Sequence, residues 1–330
     1  MRGWVKLMLL LAGLMAMAGQ AAALDGKMYD VVITSPNIPT PVPATIYTPP
    51  GYDPKRADPY PLLIQLHGGG GSNKAMAHMG PLLEQAIKEG RVPPMVSIMP
   101  SAGRSFYMDF RDGSQKWEQF VTKDLVAYSR QNLNVPKDRK GTFITGISMG
   151  GMGSLRMAFK HPEMFQAVAS QEPGIEPALA WDDIQLRDRY WRSDALMEQI
   201  YGKPVDKAYW AANNPATIAN KDPERLVGLG IYLEADDQDM FFLQHGTEFV
   251  HRILFDHGIA HEYRLVRGAE HVGPSIDPRF LDAMTFIGRQ INPPHWVDDQ
   301  VKKTRAMLDG QKKAIGYPVV PVDPERIRMK

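Results

Sequence analysis

Apolar residues along the chain form short runs that alternate with stretches of helical periodicity. Runs with strand character lie at residues 29–34, 44–47, 62–66, 95–99, 143–145, 165–170, 230–235 and 261–266. Helical patterns, with apolar residues three and four positions apart, lie at residues 81–89, 117–133, 154–160, 241–257 and 280–290. This alternation predicts an α/β protein in which helices cover both faces of a mostly parallel central sheet.

Two segments depart from the alternation. Residues 172–225 are rich in Trp, Tyr and Asp and have no clear central strand, so we expect a helical cap inserted into the domain. Residues 293–330 are charged and flanked by prolines, with one expected helix at 298–308, and are interpreted as a C-terminal tail. The remaining chain, residues 24–292, is expected to form one domain.

The N-terminus has the pattern of a secretory signal peptide. Arg2 and Lys6 give it a positive start, residues 7–18 are apolar, and Ala21 and Ala23 are small residues spaced for cleavage. The apolar stretch is shorter than the roughly 20 residues that a membrane-spanning helix needs. We therefore expect residues 1–23 to be removed, leaving a periplasmic or secreted protein without a stable membrane anchor.

Charge and composition argue against several classes of function. The formal net charge is only +1 and Lys and Arg form no long cluster, which argues against nucleic-acid binding. The chain contains no cysteine, so thiol catalysis, disulfides and cysteine-bound metals are excluded. Four histidines at 245, 251, 257 and 261 match no metal-site spacing, and we expect neither a metal nor a cofactor.

A glycine-rich turn at residues 146–151, GISMGG, links the strand at 143–145 to a helix. A serine at such a turn adopts a strained backbone conformation, and glycines two positions before and after it remove side chains that would collide. The turn lifts the Ser148 hydroxyl to the edge of the sheet and aims the Met149 N–H at the same place. The pattern predicts Ser148 as a nucleophile. The spacing does not match a phosphate-binding or dinucleotide-binding loop.

His271 is the expected general base, because it follows the last strand and the triad order is nucleophile, acid, histidine. The acid is expected after the strand at 230–235, where Asp236, Asp237 and Asp239 compete. We favour Asp239, three residues beyond the tight-turn position at Asp236, and Asp237 stays open as the alternative. The carboxylates that are not the acid are expected to face water or to accept hydrogen bonds from loop amides.

An oxyanion that forms at Ser148 needs a second backbone amide beside that of Met149. Residues 67–71, HGGGG, directly follow the buried strand at 62–66 and are typical of the loop that contributes such an amide. We expect the second amide to be that of Gly69, with Gly70 as the alternative.

These motifs resemble the esterase D, S-formylglutathione hydrolase and mycolyltransferase group of α/β-hydrolases, which also includes feruloyl and acetylxylan esterases. The matching stretches are YTPPGY at 47–52, LHGG at 66–69, GISMGG at 146–151, Tyr201-Gly202, Asn214-Pro215 and GAEH at 268–271. The resemblance covers residues 29–290. It departs at Asp236, where such proteins often have glycine.

The resemblance implies an α/β-hydrolase fold and a serine carboxylic-ester hydrolase that acts through an acyl-enzyme on a small-molecule or carbohydrate-linked ester. Export disfavours S-formylglutathione, which is a cytosolic substrate. Residues 104–108 and Trp117 resemble a pocket-side segment of the secreted esterases. Their aromatic rings either stack on a sugar or phenolic ring of the substrate or belong to the core.

Two other functions stay open at this point. An acyltransferase would use the same triad to pass the acyl group to a sugar or lipid alcohol. A binding protein on a hydrolase fold would have no catalytic role, but such proteins usually lose a triad residue or the glycines of the turn. Because all of these are present, the sequence favours an enzyme.

Overall fold

The computed structural model describes residues 24–294, 298–317 and 319; the expected signal peptide lies outside them. The strands are β1 (Lys27–Ser35), β2 (Ile38–Thr48), β3 (Leu62–Leu66), β4 (Val96–Pro100), β5 (Thr142–Ile147), β6 (Ala167–Gln171), β7 (Gly230–Asp236) and β8 (Glu262–Val266). They form one sheet in the order β1-β2-β4-β3-β5-β6-β7-β8. β1 and β2 pair antiparallel, β2 pairs antiparallel with β4, and the other pairs are parallel.

The helices follow the strands along the chain. They are α1 (Met79–Lys88), α2 (Trp117–Gln119), α3 (Val126–Asn132), α4 (Met149–Lys160), α5 (Asp194–Tyr201), α6 (Lys207–Asn213), α7 (Pro215–Lys221), α8 (Leu243–Asp256), α9 (Ile276–Ile291) and α10 (Asp299–Ala314). A π-helical segment, Phe120–Leu125, joins α2 to α3. The segment interpreted as a cap contains α5, α6 and α7, and α10 lies in the segment interpreted as a tail.

Two hydrophobic clusters pack against the two faces of the sheet, because successive strand residues point to opposite sides. Ile144 belongs to the cluster shared with α4 and α8, whereas its neighbour Phe143 belongs to the cluster shared with α1 and α9. The prediction of a mostly parallel sheet covered on both faces is confirmed. Strands buried on both faces explain the unbroken apolar runs in the sequence.

The differences from the sequence-based bounds lie mainly at element ends. Helix α4 begins at Met149 and not at residue 154, because three glycines near its start weaken the helical pattern of the sequence. The pattern at 117–133 predicts one regular helix, but a π-helical segment interrupts it. Apolar spacing alone does not detect such a segment.

The parallel strands all end at one edge of the sheet, so the loops that follow them lie side by side. This edge carries the loops that hold His67, Ser148, Glu172, Asp239 and His271. Within the described part of the chain, no helix has both the length and the apolar character to cross a lipid bilayer.

Candidate active site

Ser148 stands on the sharp turn between β5 and α4. Its backbone angles, φ 58° and ψ −118°, cost a non-glycine residue about 1–3 kcal/mol. A Cβ on Gly150 would lie 2.1 Å from the carbonyl oxygen of Leu66, and one on Gly146 would lie 2.4 Å from the backbone of Gly150. Only glycine fits at these two positions. The glycine spacing seen in the sequence thus has a direct steric reason.

Backbone hydrogen bonds hold this turn in place. The Ser148 N–H donates to the carbonyl of Gln171 at the end of β6 (2.9 Å), and the Ser148 carbonyl accepts from Gly174 (3.1 Å) and Met152 (2.9 Å). The turn is therefore fixed both to the neighbouring strand and to α4. The half-buried serine remains at the carboxyl edge of the sheet.

The glycine loop after β3 lies directly against the serine. A Cβ on Gly68 would be 3.5 Å from the Cβ of Ser148, and a Cβ on Gly69 would be 4.0 Å from Nε of Arg104. Met149, the first residue of α4, is buried next to Ser148, and the amides of a helix start have no partner within the helix. The glycine loop therefore begins, at Gly68, beside the serine turn from which α4 starts.

His67 fixes the conformation of that loop. Its Nε2 accepts a hydrogen bond from the amide of Ala102 at 2.9 Å, so its Nδ1 carries the proton and donates to the Gly68 carbonyl at 2.7 Å. Burial lowers the pKa of this imidazole, which favours the neutral ring that the two bonds require. His67 thus has a structural role in the glycine loop.

His271 lies in the loop after β8, with 7% of its surface exposed. Its Nδ1 forms a hydrogen bond with Oδ2 of Asp239 at 3.1 Å, and the ring of Phe241 meets it edge-on with centroids 4.7 Å apart. Asp239 Oδ1 in turn accepts from the amide of Phe241 at 2.6 Å. Of the candidate acids, the structure therefore brings Asp239 to His271.

The other two carboxylates of this loop have different surroundings. Asp237 accepts a hydrogen bond from the amide of Gly268 at 2.6 Å, as expected for a carboxylate that is not the acid. Asp236 does not face water or a loop amide: it is fully buried and forms an ion pair with Arg279. The expectation for Asp236 was wrong, because a cation from α9 reaches under the loop and the sequence gives no sign of that contact.

Glu172 and Arg279 are the residues that sequence reasoning missed. Glu172 follows β6 directly, its side chain is fully buried, and its Oε2 lies 3.1 Å from Nδ1 of His271. Arg279 Nη1 lies 3.0 Å from the same oxygen and 3.5 Å from Glu234 Oε1. The sequence could have indicated Glu172, because it is a carboxylate that directly follows a central strand. It could not have indicated Arg279, because this residue lies within an amphipathic helix.

Six side chains thus form a charged cluster beside the serine: Glu172, Glu234, Asp236, Asp239, His271 and Arg279. Burial favours the neutral ring of His271, but Asp239 and Glu172 outweigh it and raise the pKa of His271 to about 9. Burial and the neighbouring Glu172 raise the pKa of Asp236. Glu172 has a lowered pKa because His271, Asp236 and Arg279 outweigh the effect of its burial. The two neighbouring acids thus influence each other, and their pKa values shift in opposite directions.

Glu172, Asp239 and His271 are also the described residues whose ligand atoms come close enough together to hold a metal ion, within 4.8 Å of one another. The positive charge of Arg279 already lies against Glu172, and the His271 Nδ1–H is donated to Asp239. The donor set is thus satisfied by protein groups, and we assign no metal to it.

An aromatic side chain of the cap lies near the turn that carries Ser148. A Cβ on Gly174 would lie 3.5 Å from the Trp191 ring and 3.8 Å from the carbonyl oxygen of Ser148. The Trp191 ring stacks on Phe106 with centroids 6.0 Å apart. At the outer rim Tyr190 donates a hydrogen bond to the carbonyl of Met240, which connects the cap to the loop that carries Asp239.

The aromatic residues of segment 104–108 and Trp117 were expected either to stack on the substrate or to belong to the core. Phe106, Tyr107 and Trp117 are buried in the core, whereas Arg104 is exposed beside the glycine loop. Arg156 of α4 donates to the carbonyls of Phe106 and Tyr107, both of which have left-handed backbone angles. Of these rings, only Phe106 adjoins the cap, through Trp191.

Sheet order, the strained serine turn and the His271 loop define the class: the protein has the α/β-hydrolase fold. The family model for esterases, described as "Putative esterase", matches residues 35–274. The chain belongs to this esterase family.

Known proteins similar to this chain include esterases and mycolyltransferases. It is 34% identical over 71 residues to an acetyl esterase of Caldicellulosiruptor saccharolyticus, covering 22% of this chain and 27% of that protein. It is 27% identical over 242 residues to Esterase Rv1288 of Mycobacterium tuberculosis, covering 68% of this chain and 52% of that protein. The chain thus spans about half or less of the length of these relatives. The solved structure of a ferulic acid esterase superposes with a TM-score of 0.67 at 19% identity, covering 82% of this chain and 100% of that one.

Proposed function

We propose that the protein is an exported carboxylic-ester hydrolase that uses Ser148, His271 and Asp239 and forms an acyl-enzyme. The observation that carries the proposal is the strained serine turn at the sheet edge where a buried histidine is held by a carboxylate. Membership of the esterase family supports the same reaction class. A binding protein would not need a serine held at this energetic cost.

In this mechanism His271 Nε2 accepts the hydroxyl proton while Ser148 Oγ bonds to the ester carbonyl carbon. The amides of Met149 and Gly69 stabilise the oxyanion, and the charge of Asp239 stabilises the imidazolium. His271 then gives its proton to the leaving alkoxide, and the acyl group stays on Ser148. A water molecule, deprotonated by the same histidine, then attacks the acyl-enzyme. The bond to Ser148 Oγ breaks as His271 returns the proton to this oxygen, and the carboxylic acid is released.

The aromatic surroundings of the serine favour an ester with an aryl or carbohydrate-linked group. Trp191 lies near the serine turn and stacks on the buried Phe106, and Tyr190 and Phe242 are exposed. Such faces stack on planar or sugar rings. A panel of esters that varies acyl length and aryl leaving group tests this, and added alcohol acceptors would reveal any transfer to a sugar or lipid alcohol by their acylated products.

The proposed export rests on the sequence of residues 1–23. N-terminal sequencing of the exported protein is expected to begin at Leu24 or a close neighbour. Recovery of the chain from a membrane fraction with Met1 still present would contradict the proposal.

Covalent labelling tests the nucleophile. A fluorophosphonate probe is expected to label Ser148, and Ser148→Ala to lose about a millionfold in turnover while keeping its fold, because triad residues act as a unit. Ser101→Ala is the matched control, since Ser101 also follows a strand at this sheet edge. Near-normal turnover in Ser148→Ala would reject the mechanism.

A further inference from the structure

Two carboxylates, and not one, approach Nδ1 of His271. Asp239 Oδ2 and Glu172 Oε2 each lie 3.1 Å from this nitrogen, and both side chains are fully buried. Only Asp239 has hydrogen-bond geometry, whereas Glu172 approaches as an ion pair. A Ser-His-Asp triad needs only one acid, so the second carboxylate requires an explanation.

The backbone indicates that the position of Glu172 is strongly constrained. Its φ is 42°, in the left-handed region, which costs a non-glycine residue about 1–3 kcal/mol. The Glu172 N–H donates to the carbonyl of Glu234 at 2.7 Å, and Arg279 holds the carboxylate at 3.0 Å. Strain of this kind persists where the surroundings impose it, and it clusters at functional sites.

Arg279 is the permanent cation of the charged cluster, and its Nη1 contacts Glu172, Glu234 and Asp236. Burial raises the pKa of Glu234 and of Asp236. Glu172 and Asp239 are the two carboxylates that contact Nδ1 of His271. A proton on His271 supplies the second positive charge, and that is the state of the histidine after it has deprotonated the serine.

We infer that Glu172 is a positioning residue that acts through His271: it helps to hold the ring and stabilises the imidazolium formed when Ser148 loses its proton. The inference rests on the proposed function, because it needs His271 as the general base. Glu270, the acid next to His271 in the chain, has a different role: its carboxylate accepts hydrogen bonds from the amides of Met240 and His271. Tyr190 of the cap lies near Asp239 and Glu270.

The pH dependence of kcat/KM tests this role. The base must be neutral to act, so kcat/KM rises with pH through the pKa of His271, raised here to about 9. Removing the Glu172 charge lowers that pKa and moves the acid limb to lower pH. Nearby opposite charges shift pKa values by about 1–3 units, so a shift of about one pH unit is expected.

Glu172→Gln is best compared in an Asp236→Asn background, because Asp236 would otherwise ionise and replace part of the lost charge. Asp236→Asn alone sets the reference position of the limb, because it keeps both carboxylates that contact His271. Glu172→Gln/Asp236→Asn is expected to move it down by about one unit, and Glu172→Asp to restore it toward wild type. If kcat fell but the acid limb of the kcat/KM profile stayed at the same pH, Glu172 would have only a structural role and the inference would be overturned.

A second measurement covers the case in which the double variant does not fold. In Asp239→Asn with 15N-labelled histidine, Glu172 is the remaining carboxylate on Nδ1, so His271 is expected to titrate above its ordinary pKa of about 6.5. Titration at or below that value would overturn the inference. Neither result bears on Ser148. Activity of Ser148→Ala would contradict the proposed function. An inactive Ser148→Ala, together with an acid limb that does not shift in the Glu172 variants, would contradict only the role of Glu172.

Discussion

Six consecutive residues, 146–151, form the turn that carries Ser148, whereas the groups of the charged cluster come from β7, α9 and the loops that follow β6, β7 and β8. The turn depends on steric fit: a Cβ at Gly150 would lie 2.1 Å from a backbone oxygen. The charged cluster depends on the balance of four acids, Arg279 and His271 in a buried space.

The two regions are therefore expected to respond differently to pH and to substitution. Steric fit does not change with pH, so the turn is expected to keep its geometry wherever the protein is folded. The charged cluster contains groups with shifted pKa values, so its charges vary with pH and with every substitution near it. Changes in the turn should therefore act on the fold and the nucleophile, and changes in the charged cluster on proton transfer and on its pH dependence.

The largest effect expected within the charged cluster is that of Asp239→Asn. Loss of a triad acid costs roughly ten-thousandfold in kcat, because the histidine adopts the wrong tautomer. Glu172 remains 3.1 Å from Nδ1 and can keep the proton there, so the single variant is expected to lose less than this. Glu172→Gln/Asp239→Asn is expected to reach the full loss. Steady-state turnover of a short aryl ester measures both, and equal losses would show that Glu172 gives no support.

Arg279→Met is expected to have the next largest effect, on stability. The Arg279 side chain is 2% exposed and contacts Glu172, Glu234 and Asp236. Removing one partner from a buried ion pair costs about 3–5 kcal/mol, because a charge is left uncompensated. Urea unfolding measures the loss. Arg289→Met on the same helix is the control: its exposed ion pair with Glu262 is worth at most about 1 kcal/mol.

Gly150→Ala tests the steric half of the comparison. The added methyl would meet the Leu66 carbonyl at 2.1 Å, and inserting a carbon into such a packed site costs about 1–3 kcal/mol or more. The loss in unfolding free energy is expected to be the same at pH 6 and pH 9, since no charge changes. Gly70→Ala, where nothing lies within 4 Å of the new carbon, is the stability control. A loss that varied strongly with pH would break the distinction between the two regions.

Asp237→Asn is expected to have the smallest effect. Asp237 accepts one hydrogen bond from Gly268, and an asparagine oxygen can accept the same bond. Substitutions of this kind usually change stability by less than about 0.5 kcal/mol. Turnover is expected to stay close to wild type. A severe loss would move the acid of the triad from Asp239 to Asp237.

The prediction of a mostly parallel sheet covered on both faces is confirmed, and the strand at 62–66 has the predicted bounds. Periodicity reports burial along each element, which is why it gives element types well. It gave the start of α4 poorly, because glycines hide the helical pattern, and it missed the π-helical segment. The loop acids could not be separated, because three carboxylates within four residues look alike until the fold shows which one meets His271.

The sequence by itself determined the part of the site that is formed by neighbouring residues. The turn at 146–151 needs glycine at fixed spacing around a serine, and this steric requirement is written in neighbouring residues. The tertiary structure alone decided which charges surround His271. Glu172 and Arg279 meet it from elements distant in the chain, and Asp236 becomes a buried partner of Arg279 and not a surface acid. Electrostatic energies depend on distance and burial in space, and neither quantity can be read from the order of residues.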